Sequence, residues 1–207
     1  MSRLATSFVL GYHGCDKSIA QTAVNNGSQI LDSDRDYDWL GPGAYFWEAD
    51  PQRAKEWADW KVKRGEYKEA AVVGAVIDLR HCLDLVSRKD IELLRAAHRS
   101  FIQVQQKSGL QVPQNLSVKG RPSGDKVLRY LDCAVFRHLH EMLDSQSVND
   151  EENLNSGAIT PFDTVRGMFV EGGKVYRGSG IYRKSHVQIS VRNPDCIKGI
   201  FFPLDMN

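Results

Sequence analysis

One stretch constrains the fold more than any other: GPGAYFWEADPQRAKEW, positions 41 to 57. A glycine-rich turn feeds a strand at Gly43 to Glu48 (GAYFWE). Asp50 then stands as an N-cap with Pro51 at the first helical position, so the chain must turn from strand to helix within two residues. The helix runs to about Gly65, with Ala54, Trp57, Ala58 and Lys61 at helical spacing. Strand alternation sends Tyr45 and Trp47 to one face and Phe46 to the other. Core packing accounts for one of these faces, since aromatic rings dominate core energetics. Tyr37 and Trp39 in the preceding loop add further rings, and all the tryptophans (Trp39, Trp47, Trp57 and Trp60) fall in this one segment. Stacking of a heteroaromatic ligand is therefore the functional alternative.

Around this junction the chain reads as strands bracketing a helical middle. Ser7 to Tyr12 reads as a strand and HGCD as a turn, after which Asp16 caps a helix ending at Asn26-Gly27. Residues 32–42 have turn chemistry throughout, and Val72 to Leu79 is a strand rich in β-branched residues. Ser87 with Asp90 resembles a capping arrangement for one long helix, and Asp125 opens another. Residues 144–158 are acidic and amide-rich, which predicts a mobile connection. Strands return at 165–170, 186–191 and 197–202. The order implies an α+β fold over a single domain, 1–207, with a helical insertion at about 86–160 and both termini contributing to one sheet.

A chain of 207 residues buries a core without disulfides or a structural metal. Its 27 basic and 26 acidic side chains nearly balance, which excludes a polybasic membrane binder or a protein holding duplex DNA mainly through phosphates. No apolar run approaches a membrane span, and MSRLATSFVL lacks a signal-peptide layout, so a cytoplasmic location without membrane contact is expected. Cys15, Cys82, Cys133 and Cys196 are widely spaced and read as free thiols in a reducing compartment. His138 and His140, two apart on a helix, do not share a face, and no metal is expected.

Two further elements carry candidate chemistry. His13-Gly14 closes the first strand, where the imidazole offers a donor and an acceptor and the glycine admits a close backbone approach. In SHVQISVRNPDCIKGIFF, alternation places His186, Gln188 and Ser190 on one face and Val187, Ile189 and Val191 on the other. An exposed polar face is the ordinary reading of that pattern.

Together, YHGC at His13-Gly14, GPGAYF at Gly41 to Phe46 and the late QISVRNPDCI strand resemble the ADP-ribosyltransferase superfamily, in its branch related to poly(ADP-ribose) polymerases and diphtheria toxin. The likeness covers the first 60 residues or so and the last 25 or so; the helical middle has no counterpart. It implies a split antiparallel β-sheet and cleavage of the nicotinamide–ribose bond of NAD+, with transfer of ADP-ribose to an acceptor. By the resemblance His13 binds the adenosine ribose, the Gly14 backbone holds the nicotinamide amide, and Tyr45 stacks on the nicotinamide ring. Gly43 belongs to the same NAD+-binding motif, and Trp57 or a neighbour forms a second wall. Catalysis falls to Gln188, Tyr45 and His13, with Gln188 where the family carries a glutamate.

That glutamine accepts a ribose hydroxyl proton but carries no charge, so a single transfer is expected rather than polymer synthesis. Glu48 and Glu171 are substitute carboxylates to consider. A bacterial toxin or antiphage effector, with an antitoxin or inhibitor as partner, fits such an enzyme. The alternatives are a degenerate NAD+ or ADP-ribose binder and an RNA 2′-phosphotransferase, whose arginine set is not recognisable in Arg166, Arg177, Arg183 and Arg192. The acceptor, protein or nucleic acid, stays open; KVYRGSGIYRKSH (174–186) is a basic, tyrosine-bearing segment of the kind single-strand binders use.

Overall fold

In the computed structural model, which describes residues 8–27, 30, 32–118, 125–152 and 160–204, the chain runs β1 (Phe8–Asp16), α1 (Lys17–Asn26), β2 (Ala44–Glu48), α2 (Pro51–Lys63), β3 (Ala70–Asp78) and β4 (Cys82–Asp84). It continues through α3 (Arg88–Lys107), α4 (Tyr130–Glu152), β5 (Thr164–Phe169), β6 (His186–Val191), a 3-10 turn (Pro194–Cys196) and β7 (Ile197–Phe201). The seven strands form one open sheet in the order β4-β5-β6-β2-β1-β3-β7. The fold is α+β, and the sheet is mixed rather than wholly antiparallel, because β4 and β5 pair in parallel. Parallel neighbours need a long crossover, and α3 and α4 supply it. The helical middle is thus the connection that this strand order requires.

Local chemistry sets the element ends. Asp16 caps α1 by accepting from Ser18 N at 3.1 Å, and Gly27 ends that helix in the left-handed region at φ 64°. Asp16 also accepts from the backbone of Lys68 and Glu69, and its bonds, led by the Ser18 hydroxyl, pull its pKa down to about 2. Asp50 caps α2 through Arg53 N at 3.0 Å. HGCD is not a turn: β1 pairs with β3 at every residue from Phe8 to Asp16, and the chain turns only at the Asp16 cap.

The long helices depart from expectation at their ends. α4 begins at Tyr130 rather than Asp125, and its capping acceptor comes from a distant loop: Asn115 Oδ1 accepts from Leu131 N and Asp132 N at 2.9 and 3.3 Å. Asp125 instead accepts from Gly172 N. Ser87 occupies the N-cap of α3 without a side-chain cap bond, while Asp90 reaches back to Asp84 N. The acidic segment after 144 continues α4 as far as Glu152, since propagating a helix already anchored by buried Val135, Phe136 and Leu139 is far easier than starting one. Residues 153–158 of the expected mobile connection lie outside the described residues.

Both faces of the sheet are covered. Phe46, fully buried, joins Ala20 and Ala23 of α1 and Val73, Ala75 and Ile77 of β3 on one face. Trp47 packs on the other face with Val72 and with Ala54 of α2. Next to them, Leu83, Val165 and Tyr45 meet Phe101 of α3 and Phe136 and Leu139 of α4. The aromatic density of β2 is therefore in large part core, with a ring contributed to each of three clusters. Among the described residues no helix is long and apolar enough to cross a membrane.

Candidate functional site

The centre of the sheet contains a break in its hydrogen bonding. β1 and β2 are adjacent, yet they pair at only two positions, Gly11 with Glu48 and Tyr12 with Trp47. Beyond Tyr12, β1 pairs with β3 alone and β2 with β6 alone. At this split the His13 imidazole takes over from the backbone, its Nδ1 lying 2.8 Å from the Tyr45 carbonyl oxygen. A carbonyl only accepts, so Nδ1 carries the proton and Nε2 is left as an acceptor. Burial lowers the His13 pKa against the opposing effect of that bond, which keeps the ring neutral.

Gly14, the next residue, is held for packing. A Cβ built there would lie 2.1 Å from the Ala54 carbonyl oxygen, so only glycine lets α2 approach β1 this closely. Gly43 sits at φ 149°, and a Cβ on it would meet Ser190 Oγ at 2.5 Å. These two glycines bring the α2 backbone to β1 and the entry of β2 to the end of β6.

Register places Tyr45 opposite Ser190 and Trp47 opposite Gln188, so all these side chains project to the face shared with α2. The polar stripe of β6 is covered rather than solvated: His186 and Ser190 are buried, and Gln188 is half-buried. Gln188 Oε1 accepts from Trp39 Nε1 at 2.5 Å. The Trp39 indole lies over Gly167 of β5, where a Cβ would be 2.8 Å from its ring. The Tyr45 hydroxyl donates to Gly41 O at 2.8 Å and accepts from Leu40 N at 3.0 Å, pinning the loop that carries Trp39. Burial raises the Tyr45 pKa well above its ordinary value, with Asp38 adding to the effect, so the phenol stays protonated.

The structure gathers some predicted residues and separates others. Tyr45 and Gln188 share a face, and His13 reaches the Tyr45 backbone at the split although its side chain lies on the Phe46 side, 5.8 Å between ring centroids. Trp57 stands apart from Tyr45, with its ring 6.1 Å from Trp47 and 5.0 Å from Trp60 and the Lys61 ammonium over it. Glu48 projects to the opposite face from Gln188 and binds Arg166 through both oxygens, at 2.6 and 3.0 Å. Glu171 is buried against Arg53, whose guanidinium lies over the Trp47 ring. Each carboxylate is thus held by an arginine.

The sequence put His186 on the face of Gln188 but gave no sign of its ring partners or of two further contributors. Phe169 and His186 stack at 5.6 Å and join Trp39 to Trp47, making one continuous row of rings from Trp39 to Trp60. Gly167, which seats Trp39, gave no local signal because its purpose depends on a residue more than a hundred positions away. A cavity of about 500 Å³ opens beside Gly43, walled by Asp32, Asp144, Asp163, Arg192 and Asn193. Of these, Arg192 is committed to Asp144 at 3.0 Å.

No protein-family model, curated protein or solved structure matches this chain.

Proposed function

We propose that this protein is an NAD+-dependent transferase that moves a single ADP-ribose from NAD+ to a macromolecular acceptor, using an ADP-ribosyltransferase-like split sheet. The observation that carries the reading is the split itself: β1 and β2 stop pairing after Tyr12, at the residue where His13 bridges to Tyr45. The Nε2 of His13 is an acceptor suited to a ribose hydroxyl, because Nδ1 already donates. Tyr45 and Gln188 come from adjacent strands onto one face.

In the reaction the bond between the ribose C1′ and the nicotinamide nitrogen breaks, and its electron pair leaves with neutral nicotinamide. The acceptor nucleophile forms the new bond to C1′ and releases its proton to water. Little acid–base work is needed, so orientation and electrostatics supply the rate. The amide oxygen of Gln188 has two lone pairs, which lets it keep the Trp39 bond while accepting a ribose 2′-hydroxyl. That bond strengthens as positive charge grows on the ribose, as in glycoside hydrolysis. Without a formal charge the stabilisation is roughly halved, which favours slow single transfer over chain elongation.

A second reading, an NAD+ or ADP-ribose binder without turnover, draws on one observation: the two carboxylates considered as substitutes, Glu48 and Glu171, are both tied to arginines away from Gln188. The phosphotransferase alternative loses ground, since Arg166 is held by Glu48 and Asp84 and Arg192 by Asp144. The deciding experiment incubates the protein with labelled NAD+ and a cell lysate, then digests aliquots with protease or ribonuclease. Label removed by one digestion identifies the acceptor. Measurable NAD+ binding without nicotinamide release establishes the second reading instead.

A further inference from the structure

A second cavity, of about 510 Å³, lies between α3, α4 and the loop ahead of β2. It belongs to the helical middle, and it meets the site above at one residue, Trp39, whose indole N–H bonds Gln188. Apolar side chains line it: Trp39, Leu85, Leu94, Val135 and Phe136. The other lining side chains are mainly cationic or basic, namely Arg95, Arg99, Arg129 and His98. The one acid in the lining, Asp132, is occupied by Arg129 at 3.0 Å and by Asn115 at 2.8 Å.

The fold engages only part of this basic lining. Arg95 pairs with Glu92 on the exposed helix surface, where such a pair is worth little. Arg99 and His98 are exposed and have no hydrogen bond or ion pair among the described residues. Arg129 holds Asp132 through Nη1 and lies over the Phe169 ring at 4.9 Å, while its buried Nε has no hydrogen-bond partner among the described residues. An aromatic and aliphatic lining with the unpaired Arg99 guanidinium and the Arg129 Nε at its edge complements a flat ring that carries an anionic group. The volume is that of an ordinary small-molecule pocket.

We propose that this cavity is a binding site for an organic anion of that form, with its ring against Trp39 and its anionic group on Arg99, Arg129 and His98. A mononucleotide and an aromatic carboxylate share this chemistry. The inference does not rest on the transferase reading, and its test uses no NAD+.

Calorimetry of the full chain with adenosine 5′-monophosphate and with 2-naphthoate, each beside its neutral counterpart (adenosine and 2-naphthalenemethanol), tests it. At least one anion binds, its neutral counterpart binds roughly tenfold or more weakly, and the combined Arg99→Ala and His98→Ala variant weakens the anion by a similar factor. Both substituted positions are exposed, so the fold survives. Preference for the monophosphate assigns a nucleotide, and preference for the naphthoate assigns an aryl acid. Binding of neither anion overturns the proposal. So does anion binding that is unchanged in the double variant but lost in His13→Ala, which would place the ligand at the split.

Discussion

The indole N–H of Trp39 donates to the side-chain oxygen of Gln188 at 2.5 Å, joining the loop before β2 to the middle of β6 across 149 positions of chain. The contact orients the amide: Oε1 faces the indole, and the remaining lone pair on that oxygen is the one left for a substrate hydroxyl. If Gln188 serves the reacting ribose, Gln188→Glu keeps the indole bond and adds a charge where positive charge develops. Nicotinamide release then rises about tenfold, the value of exchanging a neutral for a charge-assisted hydrogen bond. Gln188→Ala lowers turnover more than NAD+ affinity. Turnover by Gln188→Glu no faster than wild type at saturating NAD+ would remove Gln188 from the reacting centre.

Gly14→Ala tests the packing role of that glycine. The added methyl would fall 2.1 Å from the Ala54 carbonyl oxygen, so α2 must shift away from β1. The expected loss is about 2–3 kcal/mol of unfolding free energy in urea, typical of overpacking against backbone. A neutral substitution would show that α2 is loosely docked.

Tyr45→Phe deletes the hydroxyl that serves Leu40 N and Gly41 O and leaves both backbone groups to find other partners. About 1–3 kcal/mol is lost, because buried groups left unsatisfied cost more than the bond itself returned. Hydrogen exchange locates the effect. The amides of residues 38–41 exchange faster in the variant, while the β1–β3 ladder keeps its protection.

Stability falls on acidification below neutral pH. Burial, with Arg192 adding to it, lowers the His140 pKa from 6.5 to about 3, and both its ring nitrogens are buried with no hydrogen-bond partner among the described residues. Between those values the unfolded chain binds a proton that the folded chain does not. Stability therefore drops as pH falls, by at most about 1.4 kcal/mol per pH unit for this group. His13 and His186 shift in the same direction, again through burial, and act with the same sign. Urea midpoints at pH 7 and pH 5 read the difference. His140→Leu narrows the gap between them, and an unchanged gap would show that His140 is not its source.

Arg166 ties the β4–β5–β6 half of the sheet to β2 by holding Glu48 bidentately and Asp84 at 3.2 Å. These carboxylates, Glu48 foremost, raise its pKa further. The group is partly solvated, so Arg166→Ala costs about 1–2 kcal/mol rather than the larger penalty of a fully buried pair. Thermal unfolding of Arg166→Ala, Glu48→Gln and the double variant checks this: the double variant loses less than the sum of the two, as a common bond requires.

Much of the secondary structure was legible because its signals are local. Asp16 and Asp50 declare their caps within three residues, and alternation alone predicted the opposite faces of Tyr45 and Phe46. Reading fails where the partner is remote. The strand β4 has only three residues, and it exists because β5 offers it a parallel edge. The start of α4 is capped by Asn115 rather than by a residue of its own flank. The polar stripe of β6 looked solvent-facing until the neighbouring elements covered it.

The sequence alone determined the candidate residues and the chemistry they offer: a histidine-glycine pair, a tyrosine in a glycine-led aromatic strand, and a glutamine on the polar face of a late strand. Side-chain identity and the period of two along a strand suffice for that. Only the tertiary structure decided which of them meet. It joined His13 to Tyr45 at a split in the sheet, set Trp39 on Gln188, and packed Trp57 on Trp47 rather than on Tyr45. Those relations depend on strand order and close backbone approach between distant segments, and neither is written in any local stretch of chain.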